Sequence, residues 1–424
     1  MIRRLLALAA LGAALPTAAG AQSQQCRVQL VSSSDSGGFI GQSYFASGDV
    51  RLRCAGQPIT METDSVIAHA SGDVEFHGYM RYRDTSVAID ARRAYYRKAT
   101  ETWEARGNVV VRNLETGSTV RGPSIDYMRP ATGVRDSAEM YATGRPQVEY
   151  FDADSAPGTP GEPYVILADR LRSRGNALIW GGGRVTIDRS DMRARGDSLR
   201  LDTGEADDGT LLGSPVFEGL GADSFALSGA RIDFELEGRK LSYITASGRG
   251  HLERGDWDLR ADTIAADLAA GEVQQLLAWG DSLKPDATSE RHAVRGDSLA
   301  FDLPGEVLRQ IRVFGSGWLA GAVDSATDER DWMTGDSIVA DFAPAAADSS
   351  ESSLSRISAR RDARSYHRVE PAEPGGAPSI AYVRGDEIVI VMQPGGGERV
   401  ARVDVAGKVE GIQLDPEGTR PAGP

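Results

Sequence analysis

The chain has 424 residues, 41% of them hydrophobic and 25% charged, with a net charge of −14 at pH 7. So acidic a surface repels phosphate backbones and argues against nucleic acid as a partner. Beyond the first 21 residues no stretch approaches 18 consecutive apolar side chains, so nothing there reads as a transmembrane helix.

The N-terminus, MIRRLLALAALGAALPTAAGAQ, places two arginines before an apolar run from Leu5 to Leu15, then Pro16 and the small-residue site Ala19-Gly20-Ala21. That order is a secretory signal peptide (residues 1–21), with cleavage expected after Ala21, and the run is too short for a permanent membrane span. A lipoprotein site at Cys26 would need apolar and small residues before it, where Ser23-Gln24-Gln25 stands. The expected location is therefore the periplasm, as a soluble exported chain. Cys26 and Cys54 are the only cysteines. In an oxidising compartment they are a disulfide candidate, the alternative being two free buried thiols, and without C-x-x-C spacing neither reading suggests catalysis.

From there the chain repeats itself. One beat reads small residue, Gly, polar residue, then apolar alternation: ASGDVRL from Ala46, ASGDVEF from Ala70, ARGNVVV from Ala105, WGGGRVTI from Trp180, ASGRGHL from Ala246 and FGSGWL from Phe314. A second beat lies between copies: VRGPSIDY from Val120, RGDSLRLD from Arg195, SGARIDFE from Ser228, RGDSLAFD from Arg295, TGDSIVADF from Thr334 and RGDEIVIV from Arg384. The period is about 33–35 residues, which is the scale of repeat architectures. Each beat is read as a turn followed by a strand, because Gly supplies a positive φ and a neighbouring Asp or Asn hydrogen-bonds its own turn.

Side chains two apart share a strand face. The inward set is therefore Val50/Leu52, Val74/Phe76, Val109/Val111, Val185/Ile187, Leu199/Leu201, Ile232/Phe234, Leu299/Phe301, Ile338/Phe342 and Ile388/Ile390. Helical periodicity is nearly absent; Ala265 to Leu277 could pass for a helix, but Gly271 and its place in the repeat favour two strands and a turn. Such an array buries its apolar face as a β-helix, a β-sandwich or a folded-over jellyroll, and two beats per repeat favour two sheets over a three-sided coil. Asp152 to Pro163 interrupts the pattern and divides residues 22–151 from 164–414 within one continuous stack. Ala343 to Ser353 and Glu370 to Ser379 are surface loops, and 415–424 a disordered tail.

A signal peptide followed by ASGDVEF, then IDARRAYY (Ile89 to Tyr96), then WEARGNV (Trp103 to Val109), resembles the OstA-like family, the periplasmic lipopolysaccharide-transport proteins LptA and LptC and the N-terminal domain of LptD. The match is clearest from Ser43 to Tyr150 and continues, diverged, to Leu414. The resemblance implies an all-β, elongated, repeat-built β-jellyroll, a folded shell whose two sheets enclose an apolar groove. It implies a carrier or bridge that shields lipopolysaccharide acyl chains, with the inward residues above as groove candidates. Its partners would be lipopolysaccharide or a similar glycolipid, and other bridge proteins or copies of itself through end-strand pairing. The chain is longer than a single bridge domain of that family and lacks the C-terminal barrel of LptD.

Other readings are weaker. Three of the Arg-Gly-Asp tripeptides, at 195, 295 and 384, lead into alternating strands and not exposed loop tips, which argues against adhesion. The nonapeptide spacing of calcium β-rolls is missing, so no metal is expected. Five histidines form no HExxH, no GxSxG elbow occurs and no lysine sits in a phosphate-binding loop, so neither enzymatic activity nor a cofactor is expected. The alternatives are an exported β-solenoid acting on or binding polysaccharide, and a structural or adhesin-like surface protein.

Overall fold

The computed structural model describes residues 26–415 apart from 36, 152–161, 176, 205, 222–223, 238–239, 270, 324–328, 344–351, 370–377 and 394–398. The signal peptide and residues 416–424 of the tail lie outside the described residues, as do most of the 152–163, 343–353 and 370–379 interruptions. The protein is nearly all β, an elongated run of antiparallel strands that pair with strands close to them along the chain.

With one exception the glycine beats do not reverse the chain but bend it; the beat at Ala70 is a hairpin turn between Thr60–Ala68 and Val74–Arg83. In the pair Leu178–Arg189 and Met192–Asp202, Gly182 lies opposite Ser198 and Val185 opposite Gly196, so Gly183 and Arg184 face Asp197 alone. Gly183 and Arg184 both have positive φ (77° and 45°). The same two-against-one step sets Gly48-Asp49 against Asp64, Gly107-Asn108 against Pro123, Gly248-Arg249 against Asp262, Gly315-Ser316 against Asp336, and Arg361-Asp362 against Asp386. These are β-bulges, which kink a strand and increase its twist. Apart from the hairpin at Ala70, where a turn does lead into a strand, the expected turns are thus corrected to corners along the fold line. A hairpin turn and a bulge both call for Gly at positive φ, so the local sequence cannot separate them.

At each corner the strand passes from one sheet to the other. The first sheet extends from Gly37–Ile40 to Val400–Ala406 and the second from Val28–Ser32 to Glu410–Leu414, with unbroken pairing between. Pairing is also continuous past residues 152–161, since Glu139–Thr143 bonds to Arg170–Arg174 and Gln147–Tyr150 to Tyr164–Leu167. The backbone crosses between sheets along the corner side only. Along the opposite margins both sheets end in hairpin loops, leaving two unjoined rims.

All eighteen inward candidates are buried in a single core between the sheets. Their burial is graded. In each of the nine pairs, the residue nearer the corner is 0–2% exposed, and its partner toward the rim is the more exposed, at 2–8%. Trp257–Ala269 and Glu272–Trp279 are two strands, as expected of the segment that could pass for a helix. Cys26 and Cys54 form a disulfide with Cα atoms 5.1 Å apart, tying the first strand of the second sheet to its neighbour.

Candidate functional site

The sheets part at their rims midway along the N-terminal half. A cleft of about 730 Å³ opens there between the hairpin loops of the two sheets. Val87, Val111, Val120 and Val148 line it from the second sheet, and Tyr127, Met140, Leu171 and Ile179 from the first. Inward residues of facing strands supply this lining because alternation carries apolar side chains out to the rim. Burial raises the Tyr127 phenol above its usual pKa, and the nearby Asp84 charge adds to this, so Tyr127 stays protonated.

A buried polar cluster closes one end of the cleft. Arg129 Nη1 donates to Glu101 Oε2 at 2.9 Å and its Nη2 to Gln57 Oε1 at 3.1 Å. Glu101 Oε1 accepts from the Cys26 backbone N–H at 2.5 Å and from the Tyr96 hydroxyl at 2.9 Å, so every oxygen of this buried carboxylate has a donor. Beyond it, Tyr82 of the second sheet meets Trp103 of the first with ring centroids 4.7 Å apart, and Phe76 and Tyr96 pack on the same indole. These aromatic contacts bolt the sheets together.

Toward the C-terminus the apolar seam narrows. Tyr150 is shared by the cleft and a small apolar cavity of about 50 Å³ lined by Ile187, Leu201 and Phe234. That cavity shares Tyr164, Met192, Phe217 and Leu241 with a third opening of about 390 Å³. A second aromatic bolt follows: Trp257 of the second sheet lies edge-on to Phe301 of the first at 5.6 Å, and His292 edge-on to Phe342 at 5.6 Å. Arg254 Nη2 reaches across the rims to the Glu306 carbonyl at 3.3 Å.

Neither a family model nor a curated relative matches the sequence. Among solved structures the chain is similar to the crystal structure of LptH from Pseudomonas aeruginosa, described as the LptA-homologous periplasmic component of a conserved lipopolysaccharide transport device. That similarity has 14% identity and a TM-score of 0.24, over 30% of this chain and 87% of the other.

The structure distributes the groove candidates unevenly. Val111 lines the large cleft; Ile187, Leu201 and Phe234 line the small cavity; Leu52 and Val74 face an opening of about 320 Å³ at the N-terminal end. Val50, Phe76, Val109, Val185, Leu199, Ile232, Leu299, Phe301, Ile338, Phe342, Ile388 and Ile390 line none of these spaces. The sequence pattern does not single out Val87, Val120, Val148, Met140, Leu171 and Ile179, because alternation is followed outward from each glycine and most of the cleft lining lies toward the rims.

One group of possible metal ligands, His251, Glu253 and Asp258, stands on the outer face among the described residues. Arg260 Nε already lies 3.0 Å from Asp258 Oδ1. No helix among the described residues is long and apolar enough to cross a membrane.

Proposed function

We propose that this chain is a non-catalytic periplasmic carrier that shields the acyl chains of lipopolysaccharide or a similar glycolipid between its two sheets. The observation that carries this reading is the apolar cleft of about 730 Å³ at the unjoined rims. An acyl chain leaving a membrane exposes apolar surface at about 25 cal/mol per Å², or about 0.8 kcal/mol per methylene, and a lined cleft removes that cost. The cleft volume falls within the range of about 300–1,000 Å³ typical of sites for one small ligand. A lipid with many chains therefore requires the rims to part, and a V-shaped shell hinged along its corners allows that. End strands at both extremities, Val28–Ser32 and Gly37–Ile40 at one and Val400–Ala406 and Glu410–Leu414 at the other, each have one edge unpaired among the described residues, through which bridge partners could continue the sheets.

The test is photocrosslinking in an envelope fraction. A photoreactive side chain at Val111, Val148 or Ile179 should capture glycolipid, and one at Leu299 or Ile338, in the closed section, should not. Capture at none of the cleft positions would reject the carrier reading.

A further inference from the structure

The charges around the cleft do not suit a phosphorylated head group. Three carboxylates line it, Asp84, Glu115 and Glu139, and a fourth, Glu101, lies directly behind Arg129. Only two cations line it among the described residues, and both are engaged. Arg129 is held by Glu101, and Arg172 Nη2 lies 3.1 Å from Glu139 Oε2. Among the described residues Asp84 accepts only from uncharged donors: the Tyr82 hydroxyl at 2.7 Å, the Ser86 N–H at 2.8 Å and hydroxyl at 3.3 Å, and the Val87 N–H at 2.6 Å. Glu115 is exposed at the mouth. Two negative charges are therefore left over where a head group would sit, in a chain whose net charge is already −14.

Ionised carboxylates accept hydrogen bonds and donate none. A mouth rich in acceptors and short of free cations is complementary to a head group rich in hydroxyl donors and free of negative charge. From this complementarity we infer that the cleft takes a neutral glycolipid, with one or two alkyl chains between the sheets and an uncharged sugar at the rims. The inference rests on the carrier reading and narrows its cargo: a phosphorylated head would bring like charges together, which costs affinity unless they are screened or neutralised.

Two amphiphiles sharing one alkyl chain decide the matter. Dodecyl maltoside and dodecyl phosphate, each below its critical micelle concentration, are titrated calorimetrically into the delipidated full-length mature protein at low and at high salt. The expected result is that the maltoside binds about tenfold or more tightly at low salt, with the gap closing as salt rises. In the double variant Asp84→Asn, Glu115→Gln the gap should close at low salt as well; the amide introduced by Asp84→Asn keeps an oxygen for the Ser86 and Val87 N–H groups, so the loop survives. Phosphate binding equal to or tighter than maltoside would overturn the neutral-head inference and leave the carrier reading standing. A gap that persists in the double variant would show that these carboxylates do not set the preference, and would overturn the inference too. Binding of neither amphiphile would sink both.

Discussion

The carboxylate of Asp297 lies over Gly315. A methyl group added at that glycine would sit 2.1 Å from Asp297 Oδ2, inside any van der Waals contact. The Asp297 N–H donates to the carbonyls of Phe314 and Gly315, both at 2.9 Å, and its carboxylate receives Lys284 Nζ at 2.6 Å. Asp297 belongs to the Arg-Gly-Asp tripeptide at 295, and it holds a corner and not the start of its own strand. Related stacking recurs where Asp64 covers Gly78, Asp169 covers Gly183, Asp197 covers Gly213 and Asp386 covers Gly407. A spine of acid on glycine thus follows the fold line of the shell.

If that spine sets the corner, Gly315→Ala should be costly for two reasons that can be separated. A positive φ alone costs a residue with a Cβ about 1–2 kcal/mol. Gly255→Ala, at a φ of 57° with nothing within 4 Å of the new methyl, isolates that part. Gly315→Ala should exceed it by about 1 kcal/mol or more from the clash. In the double variant Asp297→Ala, Gly315→Ala the excess should vanish. Chemical denaturation of the wild type, Asp297→Ala, Gly315→Ala and the double variant gives the coupling, and additive costs would reject the stacking argument.

Much of this was legible in the sequence, and the boundary has a physical reason. Period, strand content and the inward face follow from alternation, which burial enforces at every rung; Leu299 and Phe301 face inward as their spacing requires. Corner and turn were confused at Gly296 and Gly315 because positive φ is a demand of the residue, whereas the count of opposing residues belongs to the partner strand. The open cleft was not legible, since Val111 and Ile338 satisfy the same pattern. Only the sheet separation, set by bulky pairs such as Tyr82 with Trp103, distinguishes a lining from a core.

The disulfide should act locally. Closing a loop between positions 28 apart contributes about 3–4 kcal/mol by restricting the unfolded chain. In a stack where each strand contacts only its neighbours, loss of a terminal tie frays that end first. Cys26→Ser, Cys54→Ser should therefore expose Val28–Ser32 and weaken the Cys26 N–H bond to Glu101, leaving Leu178–Arg189 protected. Hydrogen exchange read by mass spectrometry checks this, and uniform loss of protection along the chain would contradict it.

His367 gives the stack an acid-sensitive point. It is buried beside Ser365, whose Oγ is 3.5 Å from its Nδ1, and burial lowers its pKa below 6.5 despite the opposing Asp331 charge. The unfolded chain then binds the proton more readily than the folded one. Its stability contribution is complete above about pH 6.5 and is lost as pH falls below that value toward the folded pKa. Thermal melts between pH 7.5 and 5 should show a decline that His367→Asn flattens, by removing the titrating ring. An unchanged slope in the variant would assign the decline to other groups.

Filling the cleft should abolish cargo without harming the fold. Ala138 lies on the rim of the first sheet, half-buried and lining the cleft. A tryptophan there has open space to enter, so Ala138→Trp avoids the overpacking cost of about 1–3 kcal/mol that a closed core would impose. The same change at Ala340, fully buried opposite Ile311, has no such space and should destabilise strongly. Ala138→Trp is therefore expected to retain its melting temperature and lose about tenfold or more in affinity for a dodecyl amphiphile, the equivalent of about 1.4 kcal/mol. Because the indole would occupy the volume an alkyl chain needs, undiminished affinity in this variant would place the ligand outside the cleft and remove the geometric basis of the carrier reading.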